Sequence, residues 1–63
     1  MTSQEVIDIL RKNGWVLDRV RGSHHIFINP DGSRHATVPH PRKDLVLSTV
    51  KSIERQTGLK LRK

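Results

Sequence analysis

The sequence predicts one small α+β domain with the element order α-β-β-β-α, in which a three-stranded antiparallel sheet carries two helices on one face. Three observations predict it: a helical apolar period near the start, three β-rich segments separated by turns, and a second helical period that ends at a glycine. The chain has 63 residues, so residues 1–63 are expected to form a single domain with a thin core. We expect the sheet face opposite the helices to be open.

The first helix is predicted over the segment TSQEVIDILRKNG, residues 2–14. Thr2 and Glu5 have the spacing of a capping box, although Ser3 could also cap the helix alone. Gly14 ends it. Three apolar residues form its buried stripe, with Ile7 at the edge: Val6, Ile9 and Leu10.

The middle of the chain predicts an antiparallel meander. Residues 15–21 (WVLDRVR) alternate roughly between apolar and charged side chains, as expected of a half-buried strand, and Gly22-Ser23 forms a turn. HHIFIN is a second strand, PDGS a turn, and RHATV a third strand. The following segment PHPRKD is predicted to be a basic loop outside the sheet, because Pro39 and Pro41 lack the N–H that a ladder requires.

The second helix is expected to begin at a cap formed by Ser48 or Thr49 and to end at Gly58. Its apolar stripe comprises Val50 and Ile53. The two leucines that follow the helix, Leu59 and Leu61, are expected to fold back onto the core.

The composition indicates the kind of partner. Lysine and arginine number 12 against 6 acidic residues, which gives a net charge of +6 and favours nucleic acid as the partner. There is no cysteine, which excludes disulfides and thiolate metal sites and suits the cytoplasm. No segment has the length and apolarity of a membrane span, and the start of the chain does not resemble a secretory signal. We therefore expect a cytoplasmic protein that has no membrane association and needs no cofactor.

Four histidines within 17 residues raise the possibility of a metal site: His24, His25, His35 and His40. Adjacent strand residues point to opposite faces, and the histidines match no standard ligand spacing, so no metal site is predicted. Ser23 next to a histidine could be a nucleophile. A serine in such a turn more often bonds nearby backbone groups, and no orienting carboxylate is evident.

Acid–base catalysis on RNA requires fewer groups. The RNA supplies its own nucleophile, the 2′-hydroxyl, so a cleaving site needs an imidazole to exchange a proton and positive charges to hold the phosphate. The sequence contains these groups. A single histidine in a strand is nevertheless structural more often than catalytic, so composition alone leaves the two interpretations open.

The blocks GWVLDRVRGSHHIF and VPHPRKDL, followed by a helix that ends in glycine, resemble the HicA family of toxins from prokaryotic toxin–antitoxin pairs. The resemblance covers nearly the whole chain. It implies a fold of the double-stranded RNA-binding type, cleavage of messenger RNA, inhibition by a HicB-type antitoxin, and catalysis by the histidine after Gly-Ser, here His24. The family commonly enters its second helix through Gly-Thr, where this chain has Ser48-Thr49.

If His24 acts on RNA, it must lie on the open face of the sheet. The strand period of two then places Ile26 outward as well, and puts His25 and Phe27 beneath the sheet. We expect His25 to be a packed, hydrogen-bonded core histidine. Trp15 is also expected in the core. His40 lies between two prolines and could be a second functional imidazole, but we expect it to be an exposed loop residue.

Six further residues are candidates for RNA contact: Arg19, Arg21, Ser23, Arg42, Lys43 and Lys51. Of the first two arginines, one is expected to lie near His24 and to bind phosphate; the alternative is that these cations are solvated surface charges. Two other functions remain open at this point. The chain could be a non-catalytic double-stranded RNA-binding module, or a domain that binds only an antitoxin.

Overall fold

The computed structural model describes residues 1–62 of the chain. It contains five elements in the predicted order: α1 (Ser3–Lys12), β1 (Val16–Arg21), β2 (His24–Ile28), β3 (His35–Pro39) and α2 (Leu47–Thr57). The strands form one antiparallel sheet in the order β1-β2-β3. The predicted α+β class and the α-β-β-β-α order are therefore confirmed.

Helix α1 begins with the predicted capping box. The Glu5 N–H donates to Thr2 Oγ1 at 3.0 Å, and the Thr2 N–H donates to Glu5 Oε1 at 2.7 Å, so two free amides at the helix start are satisfied. The helix ends at Lys12, with Asn13 as its C-cap. Its buried stripe differs from the prediction, because Ile7 is in the core whereas Ile9 is only partly buried against it.

Cross-strand pairing assigns residues to the two faces of the sheet, because paired residues project to the same side. Phe27 pairs with Ala36, and His25 pairs with Val38. Phe27, Ala36 and Val38 are all at most 1% exposed. We call this helix-covered side the inner face. The core around it comprises Val6, Ile7, Leu10, Trp15, Phe27, Ala36, Val38, Leu45, Val50, Ile53 and Leu61.

The prediction that the first strand is half-buried was wrong. All six residues of β1 are exposed, because both helices pack mainly against β3 at the other side of the sheet. The strand starts at Val16 rather than Trp15, and its pairing with β2 is interrupted by an irregularity between Leu17 and Arg19. Two aliphatic residues of the inner face, Leu17 and Val20, remain 43% and 49% exposed.

Two predicted boundaries near the second helix were also wrong. Pro39 was placed in the loop, but it is the last residue of β3 and pairs with His24; it is tolerated there because β3 is an edge strand. Helix α2 begins at Leu47 with Val46 in the N-cap position and no side-chain cap, so neither Ser48 nor Thr49 caps it.

The end of α2 follows the prediction. Gly58 closes it with φ of 74°, a left-handed conformation that glycine adopts without strain. Leu61 is buried and Leu59 packs against the core, as expected. Neither helix in the described part of the chain has the length and apolarity that crossing a membrane requires.

Candidate active site and RNA interface

His24 lies on the open face of the sheet and is exposed to solvent. It is the first residue of β2, directly after the Gly22-Ser23 turn. Its Cα partners are Arg21 on β1 and Pro39 on β3, so all three side chains project to the same side. The predicted orientation of His24 is confirmed, and Arg21 is its nearest cationic neighbour in the register.

The next row of the open face contains Arg19, Ile26 and Thr37. Ile26 therefore lies outward with His24, as expected. The Arg19 Nε donates to Asp18 Oδ2 at 3.2 Å, and the same oxygen lies 3.9 Å from His35 Nε2. Part of the charge of Arg19 is thus already compensated by Asp18, whereas Arg21 forms no ion pair with a carboxylate within residues 1–62.

His25 projects to the opposite side from His24, as predicted, but it does not form the expected hydrogen bond at Nδ1. That atom is buried and has no partner among the described residues. The ring is only partly buried and packs edge-on against His40, with the ring centroids 4.8 Å apart. His25 therefore contacts a second imidazole, and its Nδ1 has no hydrogen-bond partner among residues 1–62.

His40 was predicted to be an exposed loop residue, and this was wrong. Its Nδ1 lies 2.7 Å from the Oγ of Ser3, a side chain that is 1% exposed at the start of α1. The same Oγ accepts the Arg42 N–H at 2.9 Å. These contacts fix the loop after β3 to the first helix, across 37 residues of sequence.

The loop is also tied to the residue before His24. The His40 N–H donates to the Ser23 carbonyl at 2.7 Å. Sequence reasoning missed this network because the partners are far apart in the chain, and the only available indication was a histidine between two prolines. We call the set Ser3, Ser23, His40 and Arg42 the Ser3–His40 network.

The structure brings some of the predicted RNA contacts together and leaves others apart. Arg19, Arg21 and Ser23 are near His24 in the register or the turn. Arg42 lines a small cavity together with Pro39, the cross-strand partner of His24. Lys43 is exposed in the same loop, and Lys51 is exposed on α2, where no contact within residues 1–62 links it to His24.

The carboxylates with displaced pKa values are not near His24 in the sheet. Hydrogen bonds from Thr2 lower the pKa of Glu5, and hydrogen bonds from Ser33 lower the pKa of Asp31. Hydrogen bonds from the Arg62 side chain and the Leu61 amide lower the pKa of Glu54 to about 2. These carboxylates stabilise a helix start, a turn and the C-terminal segment. Among residues 1–62, no three histidine or carboxylate side chains are grouped so as to hold a metal ion.

The fold and the site together define the class of protein. It is a small basic α-β-β-β-α domain whose open sheet face presents a histidine beside arginines. A family model described as "HicA toxin of bacterial toxin-antitoxin" matches residues 3–59 of the 63. The chain belongs to the HicA toxin family, as the Gly-Ser-His-His and Val-Pro-His blocks predicted. No curated protein matches the sequence significantly.

Proposed function

We propose that the chain is the toxin of a toxin–antitoxin pair and acts in the cytoplasm as an endoribonuclease that cleaves messenger RNA. The observation that carries the proposal is the position of His24: its ring is exposed on the open face of the sheet, with Arg21 as its direct cross-strand partner. Membership of the HicA toxin family supports a toxic activity in general. The catalytic role of His24 is part of the proposal and follows from the resemblance of the Gly-Ser-His-His block to the HicA family.

In the proposed reaction, His24 accepts the proton of an RNA 2′-hydroxyl, and the resulting oxyanion attacks the adjacent phosphorus. The bond from phosphorus to the 5′-oxygen breaks, and the leaving oxygen takes a proton from an acid. Negative charge accumulates on the phosphate oxygens in the transition state, where a guanidinium stabilises it. Arg21 is placed to supply that charge. Because the RNA provides the nucleophile, the proposed cleavage is independent of metal ions.

The remaining cations are assigned to binding of the RNA backbone. Arg19 and Ser23 extend the site along the β1 side of His24, while Arg42 and Lys43 extend it through the loop after β3. Lys51 on α2 would contact a more distant phosphate. A network of phosphate contacts makes binding fall steeply with salt. This behaviour is common to a ribonuclease and to a non-catalytic RNA-binding module.

The test compares the wild-type chain with His24→Ala, using mixed cellular RNA in EDTA. We expect His24→Ala to lower the rate of cleavage by about 10²–10⁴-fold, the range for loss of a general acid or base, and to abolish growth inhibition with the fold unchanged. His35→Ala is the matched control, since His35 is also an exposed histidine of a sheet strand. It should retain cleavage.

Three results would contradict the proposal in different ways. A fully active His24→Ala variant would remove His24 from the mechanism. Cleavage that stops in EDTA would show that a metal ion is required. A wild-type chain that binds RNA in a salt-dependent manner but never cuts it would identify the RNA-binding module instead.

The proposed function includes inhibition by a HicB-type antitoxin. An active ribonuclease in the cell must be restrained, and a protein that covers a basic surface with a central histidine would exclude RNA. Purified antitoxin should therefore stop cleavage at a stoichiometric ratio. Continued cleavage in a stable complex would show that the partner does not act at the site.

A further inference from the structure

Strand β1 leaves aliphatic side chains on the surface beside the core. Leu17 pairs with Phe27, and Val20 pairs with His25, so both lie on the inner face of the sheet. Phe27 is 1% exposed under the helices, whereas Leu17 is 43% and Val20 is 49% exposed. The apolar inner face thus continues past the helices and is uncovered along β1.

The backbone of β1 is also available. β1 is the first strand of the sheet and pairs only with β2, so its outer edge presents unpaired N–H and C=O groups that can accept another strand. The side chains of Arg19 and Arg21 project to the open face of the same strand. We call Leu17, Val20, Arg19, Arg21 and this free edge the β1 docking surface.

We infer that the β1 docking surface binds an acidic protein partner, which adds an extended strand to the edge of the sheet. In such a strand, alternate side chains point to opposite faces. Apolar side chains of the partner would pack on Leu17 and Val20, and carboxylates on the alternate positions would face Arg19 and Arg21. The partner strand therefore needs an alternating apolar and acidic pattern.

The charge and the chemistry of the surface select this occupant over the two obvious alternatives. A second copy of the chain also has a charge of +6, so self-association through an arginine-bearing strand is opposed by repulsion. RNA binds proteins through cations and through aromatic stacking. Arg19 and Arg21 supply cations on the open face only, and Leu17 and Val20 on the inner face supply neither cations nor aromatic rings. Aliphatic side chains next to a free strand edge are features that a protein strand uses.

Occupation of this surface would affect the proposed active site. Arg21 is the Cα partner of His24, and a strand added to β1 would lie about 5 Å from β1 and about 10 Å from β2. Its carboxylates would then compete with phosphate for Arg21. The inference rests on the proposed function in one respect, which is the identification of the acidic partner as the inhibiting antitoxin.

The experiment measures the affinity of the cognate HicB-type antitoxin for the full-length chain and for Leu17→Thr/Val20→Thr. Threonine is β-branched and suits a strand, and it replaces apolar surface with a hydroxyl group. We expect the variant to bind the antitoxin at least tenfold more weakly, about 1.4 kcal/mol, and to cleave RNA at the wild-type rate. It should therefore escape inhibition at antitoxin concentrations that silence the wild type.

The matched control is Val46→Thr/Leu47→Thr. These residues are an exposed aliphatic pair outside the sheet, 64% and 55% exposed at the start of α2, so a valine and a leucine are again replaced by threonine, but away from β1. Antitoxin affinity should stay within twofold of the wild type. If the control loses affinity and the β1 variant does not, the docking surface is at α2 and the inference is wrong.

A second measurement uses the wild-type chain, so that a folding defect in a variant does not decide the outcome. Amide hydrogen exchange of β1 should slow when the antitoxin is added, and unchanged exchange there would overturn the inference. A wild-type dimer that dissociates on the β1 substitution would identify a second copy as the occupant. If no form of the chain cleaves RNA, the proposed function fails, while the affinities and exchange rates still decide the docking surface.

Discussion

The two edges of the sheet differ in how far the helices cover them. At the β3 edge, the Thr37 N–H donates to the Gln56 side chain of α2 at 3.1 Å, and both helices pack mainly against β3. At the β1 edge, all six residues are exposed. Covering an edge strand prevents unwanted pairing, whereas a bare edge is available to a partner. The stable core and the surface for interaction are thus separated within three strands.

Strand β2 connects the two regions and shows how closely they are joined. Phe27 on its inner face is part of the core, and His24 on its open face is exposed beside Arg21. A chain of this size has a small free energy of unfolding. It can therefore leave a whole strand exposed only if the remaining contacts between β2, β3 and the helices are well packed.

The largest expected effect is on the free energy of unfolding. Truncating two cross-strand partners, Phe27 and Leu17, tests the separation of core and interaction surface directly. Phe27→Ala should lower the free energy of unfolding by about 3–5 kcal/mol, the usual cost of removing a buried phenylalanine, which approaches the total stability of a small domain. Leu17→Ala should cost less than about 1 kcal/mol, because its side chain is 43% exposed. Urea denaturation of both variants provides the comparison. Equal losses would show that β1 belongs to the stable core.

The next effect concerns the contacts that fix the loop after β3. Ser3→Ala removes the partner of His40 Nδ1 and of the Arg42 N–H, so the free energy of unfolding should fall by about 1–3 kcal/mol. Because the His40 N–H also donates to the Ser23 carbonyl before His24, we expect a lower kcat for RNA cleavage with little change in KM.

Ser48→Ala is the control for that experiment, since Ser48 is an exposed serine in the first turn of α2. It should change stability by less than about 0.5 kcal/mol and leave the kcat as it is. A Ser3→Ala variant that matches Ser48→Ala in both measurements would show that the Ser3–His40 network neither stabilises the loop nor positions His24.

The sequence predicted the features that depend on local rules. The Thr2–Glu5 capping box and the left-handed Gly58 follow from spacing within a few residues. The outward position of His24 was inferred from its expected role on RNA, because the apolar residues of β2 do not settle the register alone. The exposure of β1 could not be predicted in this way. Its alternating pattern indicates a strand with two different faces, but whether a helix covers one of them depends on how α1 and α2 pack in three dimensions.

The errors at His40 and at the start of α2 have the same origin, because both depend on contacts between residues that are far apart in the sequence. His40 bonds to Ser3, a residue 37 positions away, and no local pattern indicates that pair. The start of α2 was misplaced because Ser48 and Thr49 are better caps than valine. In the structure the preceding segment is fixed by a hydrogen bond from the Leu45 N–H to the Met1 carbonyl. Helix α2 begins at Leu47 next to this tertiary contact. The local preference for a serine or threonine cap is therefore overridden.

A smaller effect is expected at that uncapped helix start. Val46 occupies the N-cap of α2 without a side-chain hydrogen bond. Val46→Ser supplies a hydroxyl that can accept one of the free amides, so the free energy of unfolding should rise by about 0.5–1 kcal/mol. This gain in stability would come from α2, which packs against β3, and would not involve β1. Thermal unfolding measures it, with Val16→Ser in the exposed strand as the control, and a decrease in Tm for Val46→Ser would contradict the prediction.

The smallest effect is a dependence on acid pH that also belongs to the β3 side. Glu54 on α2 accepts hydrogen bonds from the Leu61 N–H at 2.9 Å and from Arg62 Nε at 3.1 Å, and these bonds lower its pKa from 4.5 to about 2. A lowered carboxylate pKa stabilises the folded state above the unfolded value and loses that contribution as the pH falls. Glu54 therefore contributes fully above pH 4.5, and its contribution disappears as the pH falls through about 2.

Glu54→Gln should accordingly be less stable than the wild type near neutral pH, and the difference should shrink between pH 4.5 and 2. Urea denaturation over that range measures the difference. Asp44→Asn is the control, because Asp44 is 91% exposed and faces only the N-terminal amine at 3.6 Å, a pair that solvent screens. If both variants follow the wild-type profile, the C-terminal segment is held on α2 by the packing of Leu61 rather than by the Glu54 carboxylate.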